Sequence, residues 1–178
     1  MSRWRPGDRR PDRASMLRVD QAGEYGATRI YAGQLAVLRR NCPEAKLIAR
    51  MAAQEERHLN RFNALVADRR VRPTALQPLW NVAGFALGAA TALMSEKAAL
   101  ACTDAVETEI DRHYAGQLAA LGEDDPELSA DIAEFQAEEL EHRDTARAAG
   151  SAQAVGYPLL TAAIRAGCRV AITLSKHI

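Results

Sequence analysis

Six residues stand out by type and spacing. Glu55 and His58 are three residues apart, and so are Glu139 and His142. On a helix, residues i and i+3 lie about 300° apart around the axis and roughly 4.5 Å apart along it. A carboxylate and an imidazole then share one face and can meet the same metal ion. Glu24 stands 31 residues before Glu55, and Glu107 stands 32 residues before Glu139. Two lone glutamates and two Glu-x-x-His pairs on four helices are the ligand set of dinuclear carboxylate bundles. Four ionised glutamates in one core are costly unless two divalent cations offset their charge. Hard oxygen donors with one imidazole per metal favour iron or manganese over zinc or copper.

A single Glu-x-x-His in an Ala-rich helix is usually a solvated pair. Here the pairs sit in a repeat. Residues 31–38 read YAGQLAVL and residues 114–121 read YAGQLAAL, with seven of eight positions matching. Glu24 and Glu107 each lie seven residues before the repeated tyrosine, and surface charge alone does not account for that register. The repeat also sorts the neighbouring acids. Glu139 and His142 both lie 84 residues after Glu55 and His58, which favours Glu139 over Glu138. Glu56 points to another face, and Glu109 and Glu141 fall off the shared one. Tyr31 and Tyr114 lie about 10 Å along the axis from their glutamates, on the same face. They are candidates either for core packing or for a hydrogen-bonding or redox role beside the metals. His113 is a further candidate for reaching the cavity, and Asp20 and Asp111 are weaker ones.

These residues need helices to carry them. Ala/Leu-rich stretches, few β-branched runs and 5% aromatic residues give an all-α chain. Helices are expected over about Asp20–Arg40, Pro43–Asp68, 79–94, from Lys97 to about Leu121, from Pro126 to near Gly150, and over about Pro158–Lys176. Pro43 and Pro126 suit first helical positions. Residues 1–14, with Pro6, Gly7 and Pro11, read as a flexible arm, and 15–178 as a single domain. The expected architecture is a ferritin-like four-helix bundle of two repeated hairpins, with extra apolar helices.

The 178 residues carry 23 Lys+Arg and 23 Asp+Glu, so no basic excess points to nucleic acid. Arg3, Arg5, Arg9, Arg10 and Arg13 cluster early but are interrupted by Asp8 and Asp12, as in a solvated tail. Cys42, Cys102 and Cys168 have no paired spacing and read as structural thiols in a reducing compartment. No secretory h-region is expected. The run LWNVAGFALGAATALM at 79–94 is short for a membrane span. With Trp80, the arginines at 69, 70 and 72, and the apolar last helix, it suggests monotopic membrane contact, with Phe85 and Leu87 on the contacting face. No G-x-G-x-x-G loop is present for a dinucleotide.

The segments LRVDQAGEYGATRIYAGQ, EERHLNRFNAL, PLWNVAGFALGAATALMSEKAALACTDAVE, EELEHRDTA and GCRVAITLS resemble the demethoxyubiquinone hydroxylase family of ubiquinone biosynthesis. The likeness runs from about Met16 to the C-terminus. It implies a di-iron site at Glu24, Glu55, His58, Glu107, Glu139 and His142, and O2-dependent hydroxylation of a demethoxyubiquinol ring with electrons ultimately from NADH. It further implies a polyprenyl quinone substrate, a membrane surface and other ubiquinone-biosynthesis proteins as partners. A short turn at Gly122–Pro126 and no long presequence before Met16 fit a bacterial member on the cytoplasmic face of the inner membrane, with the matrix side of the mitochondrial inner membrane as the alternative. The same ligands would also serve a quinol oxidase reducing O2 to water, or a non-enzymatic ferritin-like iron-binding protein, although the apolar run argues against a soluble storage shell.

Overall fold

The computed structural model of the protein describes residues 11–178. It has six α-helices: α1 (Arg13–Val37), α2 (Pro43–Asp68), α3 (Gln77–Met94), α4 (Glu96–Leu121), α5 (Pro126–Ala148) and α6 (Tyr157–His177), with a 3-10 turn at Ser151–Gln153. The described residues contain no strand. Local chemistry sets the starts. Asp12 accepts the Ser15 N–H at 3.0 Å, Ser95 accepts that of Ala98 at 3.0 Å, and Asp125 accepts that of Leu128 at 3.2 Å. Each satisfies an amide that the first helical turn leaves unpaired. Pro43 and Pro126 open α2 and α5.

The Asp12 cap corrects two expectations. The first helix begins seven residues before Asp20, at Arg13, so residues 13–14 of the expected arm are helical. It also stops at Val37 rather than Arg40. Residues 1–10 of that arm lie outside the described residues.

Helices α1, α2, α4 and α5 form a bundle, and α3 and α6 cover the outer sides of α1 and α4. Two apolar clusters fill the bundle. One holds Ala27, Tyr31, Ile48, Met51 and Leu100, and the other holds Leu17, Phe62, Leu65, Tyr114, Leu128, Ile132 and Phe135. Fully burying each Leu, Ile or Phe contributes about 1.5–3 kcal/mol, so these clusters provide the main drive for the bundle. On its outer face, arginines of α2 and its C-cap reach acids of α5 and its N-cap: Arg57 to Glu134 and Glu138, Arg61 to Glu127 and Asp131, Arg69 to Asp125 and Glu127.

The two cover helices are held by different chemistry. At the α1–α3 crossing a Cβ on Gly33 would collide with the carbonyl of Phe85, and one on Gly88 with the carbonyl of Ile30. Only glycines allow the backbones so close. On α4, the repeat position equivalent to Gly26 is Glu109. Glu109 is buried and accepts Arg165 Nε at 2.7 Å and Arg169 Nη1 at 2.9 Å from α6. Trp80 Nε1 donates to Ser175 Oγ at 3.0 Å and joins α3 to α6. Leu79, Val82, Phe85, Leu93 and Met94 of α3 are exposed, as are Leu159, Val170 and Leu174 of α6. Leu87 differs from expectation: it packs inward against the cluster of Cys102, Ala105, Val106 and Ile164. Among the described residues, no helix is long and apolar enough to cross a membrane.

Candidate metal centre

Each bundle helix contributes at one level. Glu24 comes from α1, Glu55 and His58 from α2, Glu107 from α4, and Glu139 and His142 from α5. All six are at most 2% exposed. They fall into two overlapping groups. In one, Glu24, Glu55, His58 and Glu139 each offer a ligand atom within 4.8 Å of the others; in the second, Glu55, Glu107, Glu139 and His142 do so. Glu55 and Glu139 belong to both groups. Such an arrangement could hold two cations that share Glu55 and Glu139, with Glu24 on one side and Glu107 on the other.

Both imidazoles turn Nδ1 inward. His58 Nδ1 lies 3.1 Å from Glu139 Oε1 and 3.6 Å from Glu24 Oε2. His142 Nδ1 lies 3.1 Å from Glu55 Oε1 and 3.2 Å from Glu139 Oε2. The outward nitrogens meet Glu138 (Nε2 of His58, 2.7 Å) and Gln54 (Nε2 of His142, 2.9 Å). Phe135 stacks on His58 with ring centroids 4.1 Å apart and fixes its plane.

The donor set fits cations. Glu24 Oε2, both oxygens of Glu55 and Glu107 Oε2 are buried without a well-formed hydrogen bond. Buried polar atoms ordinarily have partners, so four such oxygens aimed into one space call for a positive ligand. Protonation tells the same story. Burial first, then repulsion from Glu139 and the other carboxylates, pushes Glu55 well above the usual range. Burial, then Glu139, does the same to Glu107, and burial raises Glu139 although His58 opposes it. Burial works against the His58 cation, yet Glu139 and Glu24 hold its pKa up at about 10. The cluster is thus short of positive charge.

The candidate tyrosines sit in both places at once. Tyr31 and Tyr114 are 2% exposed, one in each apolar cluster. Tyr31 Oη donates to Glu107 Oε1 at 2.8 Å, and Tyr114 Oη donates to Glu24 Oε1. His113 does not turn to the four clustered glutamates. Its Nε2 lies 3.0 Å from Asp20 Oδ1, which also accepts Gln117 Nε2 at 2.7 Å. Asp111 lies apart, accepting Gln136 Nε2 at 2.7 Å near Arg143. Glu56 is exposed.

Spacing alone missed Gln54 and Asp104, and it weighed Glu138 only as a rival ligand to Glu139. Gln54 and Glu138 immediately precede the two shared glutamates, Glu55 and Glu139, and their matched place in the repeat was a usable signal. Asp104 is buried and accepts Arg147 Nε at 2.9 Å, Ser151 Oγ at 3.0 Å and Tyr157 Oη at 2.6 Å. It ties α4 to the start of α6, and nothing local in the sequence marked it.

Residues 12–175 match the family described as ubiquinone biosynthesis protein COQ7. The chain is 56% identical over 177 residues to the 3-demethoxyubiquinol 3-hydroxylase of Rhodospirillum rubrum, covering 97% of this chain and 82% of the relative. It is 51% identical over 167 residues to the human NADPH-dependent 3-demethoxyubiquinone 3-hydroxylase, mitochondrial, covering 92% and 76%. With the 5-demethoxyubiquinone hydroxylase, mitochondrial, of Saccharomyces cerevisiae it shares 45% over 179 residues, covering 92% and 77%. The chain belongs to the COQ7 family of ubiquinone biosynthesis proteins.

Proposed function

We propose that the protein hydroxylates the ring of demethoxyubiquinol in ubiquinone biosynthesis, as an O2-dependent monooxygenase with two iron ions held by Glu24, Glu55, His58, Glu107, Glu139 and His142. The observation that carries this reading is the pair of overlapping Glu/His groups sharing Glu55 and Glu139. The names of the relatives supply the substrate. Iron bound there supplies the redox chemistry that makes O2 reactive toward a ring carbon. One oxygen atom enters the ring and the other leaves as water, which takes two electrons and two protons. The two electrons and one of the protons come from a reduced nicotinamide, and solvent gives the other proton; the nicotinamide is NADH by the family resemblance and NADPH in the names of the mammalian relatives.

The chain's own residues do the rest. Four carboxylates balance the charge of two divalent ions. Tyr31 and Tyr114 fix the orientation of Glu107 and Glu24. Phe62, Tyr114 and Phe135 keep bulk water from one end, and Tyr31, Met51 and Leu100 from the other. The exposed apolar faces of α3 and α6 are the surface we assign to monotopic contact with a membrane, where the polyprenyl tail stays in lipid. Partner proteins of the same pathway and a place at the inner membrane, bacterial or mitochondrial, belong to this reading.

Turnover with labelled O2 and mass spectrometry of the quinone tests it. One labelled atom in the new hydroxyl is expected. Label arriving from water overturns it, and quinol oxidised with no gain in mass replaces it with the oxidase reading. Metal analysis checks the ligands: Glu139→Ala should lose most iron, whereas Glu56→Ala should keep it.

A further inference from the structure

The two inward-facing histidines are supported unequally from behind. His58 Nε2 meets a carboxylate, Glu138 Oε2, at 2.7 Å, and His142 Nε2 meets a neutral amide, Gln54 Oε1, at 2.9 Å. Gln54 and Glu138 hold the same place in the repeat, one residue before Glu55 and Glu139. Each crosses to the histidine of the other hairpin. The remaining donors match in pairs: Glu24 with Glu107, each held by a tyrosine, and Glu55 with Glu139, each in both groups. In charge, the two halves part at these supports.

A carboxylate that accepts an imidazole N–H makes the ring a stronger donor to a cation and places negative charge behind it. An amide oxygen orients the ring without adding that charge. Arg57 also contacts Glu138, but its side chain is 51% exposed and shared with Glu134, so solvent screens it. The Glu138 side chain is 20% exposed and lies directly on the ring nitrogen.

We infer that Glu138 is a positioning residue that makes the two cation positions unequal, so that the position of Glu24, Glu55, His58 and Glu139 binds its ion more tightly and fills first. The position of Glu55, Glu107, Glu139 and His142 fills second. This rests on the proposal that the six residues hold two cations.

The test is a titration of metal-free, full-length protein with Mn2+, reading free ion by its electron paramagnetic resonance. The unaltered protein should take up two ions in two steps, about tenfold or more apart in affinity. Glu138→Gln keeps an acceptor for His58 and should weaken the tight step until the two merge. Gln54→Glu should merge them from the other side, by strengthening the weak step. It removes no contact, so the test does not depend on how well Glu138→Gln folds. The double exchange should restore two separate steps. Mössbauer spectra of protein loaded with 57Fe should follow, with two unlike iron signals becoming alike in either single variant. Two equal steps in the unaltered protein, or steps that stay apart in both single variants, overturn the inference. Uptake of fewer than two ions by the unaltered protein would instead remove the dinuclear reading, and this inference with it.

Discussion

Tyr31 of the first hairpin donates its hydroxyl to Glu107 of the second at 2.8 Å, and Tyr114 of the second donates to Glu24 of the first. Each half of the repeat therefore steadies the lone glutamate of the other. Burial, with repulsion from the neighbouring glutamates, raises both phenols well above their ordinary range, so they remain donors.

Tyr31→Phe and Tyr114→Phe should accordingly have effects of the same sign and similar size. Each leaves a buried carboxylate oxygen without its donor, a loss of about 1–3 kcal/mol in the metal-loaded protein. Urea unfolding of the loaded variants measures it. An unchanged midpoint in either variant would mean that the bond contributes nothing to the loaded state.

The repeated glycines should respond in opposite ways. Gly33 presses on the backbone of α3, whereas a Cβ at Gly116 meets nothing within 4 Å. Gly33→Ala should cost about 1–3 kcal/mol or more through overpacking. Gly116→Ala should stabilise by about 0.5–1 kcal/mol, because an exposed helical glycine carries an entropic cost. Thermal melting of the two variants checks both signs.

Acid should act in part through the α2–α5 ion pairs. Partial burial raises the Asp125 carboxyl, but Arg69 and the Leu128 amide outweigh it and hold the group below its ordinary 3.8. A depressed folded value means stability that is present above pH 3.8 and lost as pH falls through the folded value. The stability gap between the unaltered protein and Asp125→Asn should thus be constant above that pH and shrink below it. Denaturant titrations of both proteins across that range measure the gap, and a gap that widens in acid would contradict this sign.

Membrane contact should depend on the exposed residues of α3 and α6 and not on Leu87. Val82→Glu combined with Leu159→Glu should abolish co-flotation with phospholipid vesicles while leaving metal content unchanged. Leu87→Glu should instead destabilise the fold, because Leu87 packs against a buried cluster. Flotation of the double variant at the level of the unaltered protein would remove this face from consideration.

Much of this was legible in the sequence because the relevant spacings are short. Glu-x-x-His, the proline starts and the octapeptide repeat are local patterns, and local patterns survive without coordinates. The meeting of Glu24 with His58, or of Tyr31 with Glu107, could be read only because the repeat fixed the register of one hairpin against the other. Residues whose partners are distant and unrelated by the repeat stayed hidden. Asp104 looks like any helical acid until Arg147, Ser151 and Tyr157 converge on it. Glu109 falls off the shared ligand face, and the role it has instead was hidden because its arginines are 56 and 60 residues away. The start of α1 was missed because a single capping aspartate, Asp12, extended it beyond the apolar pattern.

Gly33, Gly84 and Gly88 bring the backbones of α1 and α3 into direct contact. A helix held backbone to backbone cannot roll about its axis, since any rotation would drive a Cβ into the facing carbonyls. The outward residues of α3 are therefore set at a fixed height above Glu24 and Tyr31, which lie on the opposite side of α1. If that face rests in a lipid headgroup layer, α1 acts as a rigid spacer, and the depth of the carboxylate cluster beneath the bilayer surface is fixed by three missing methyl groups.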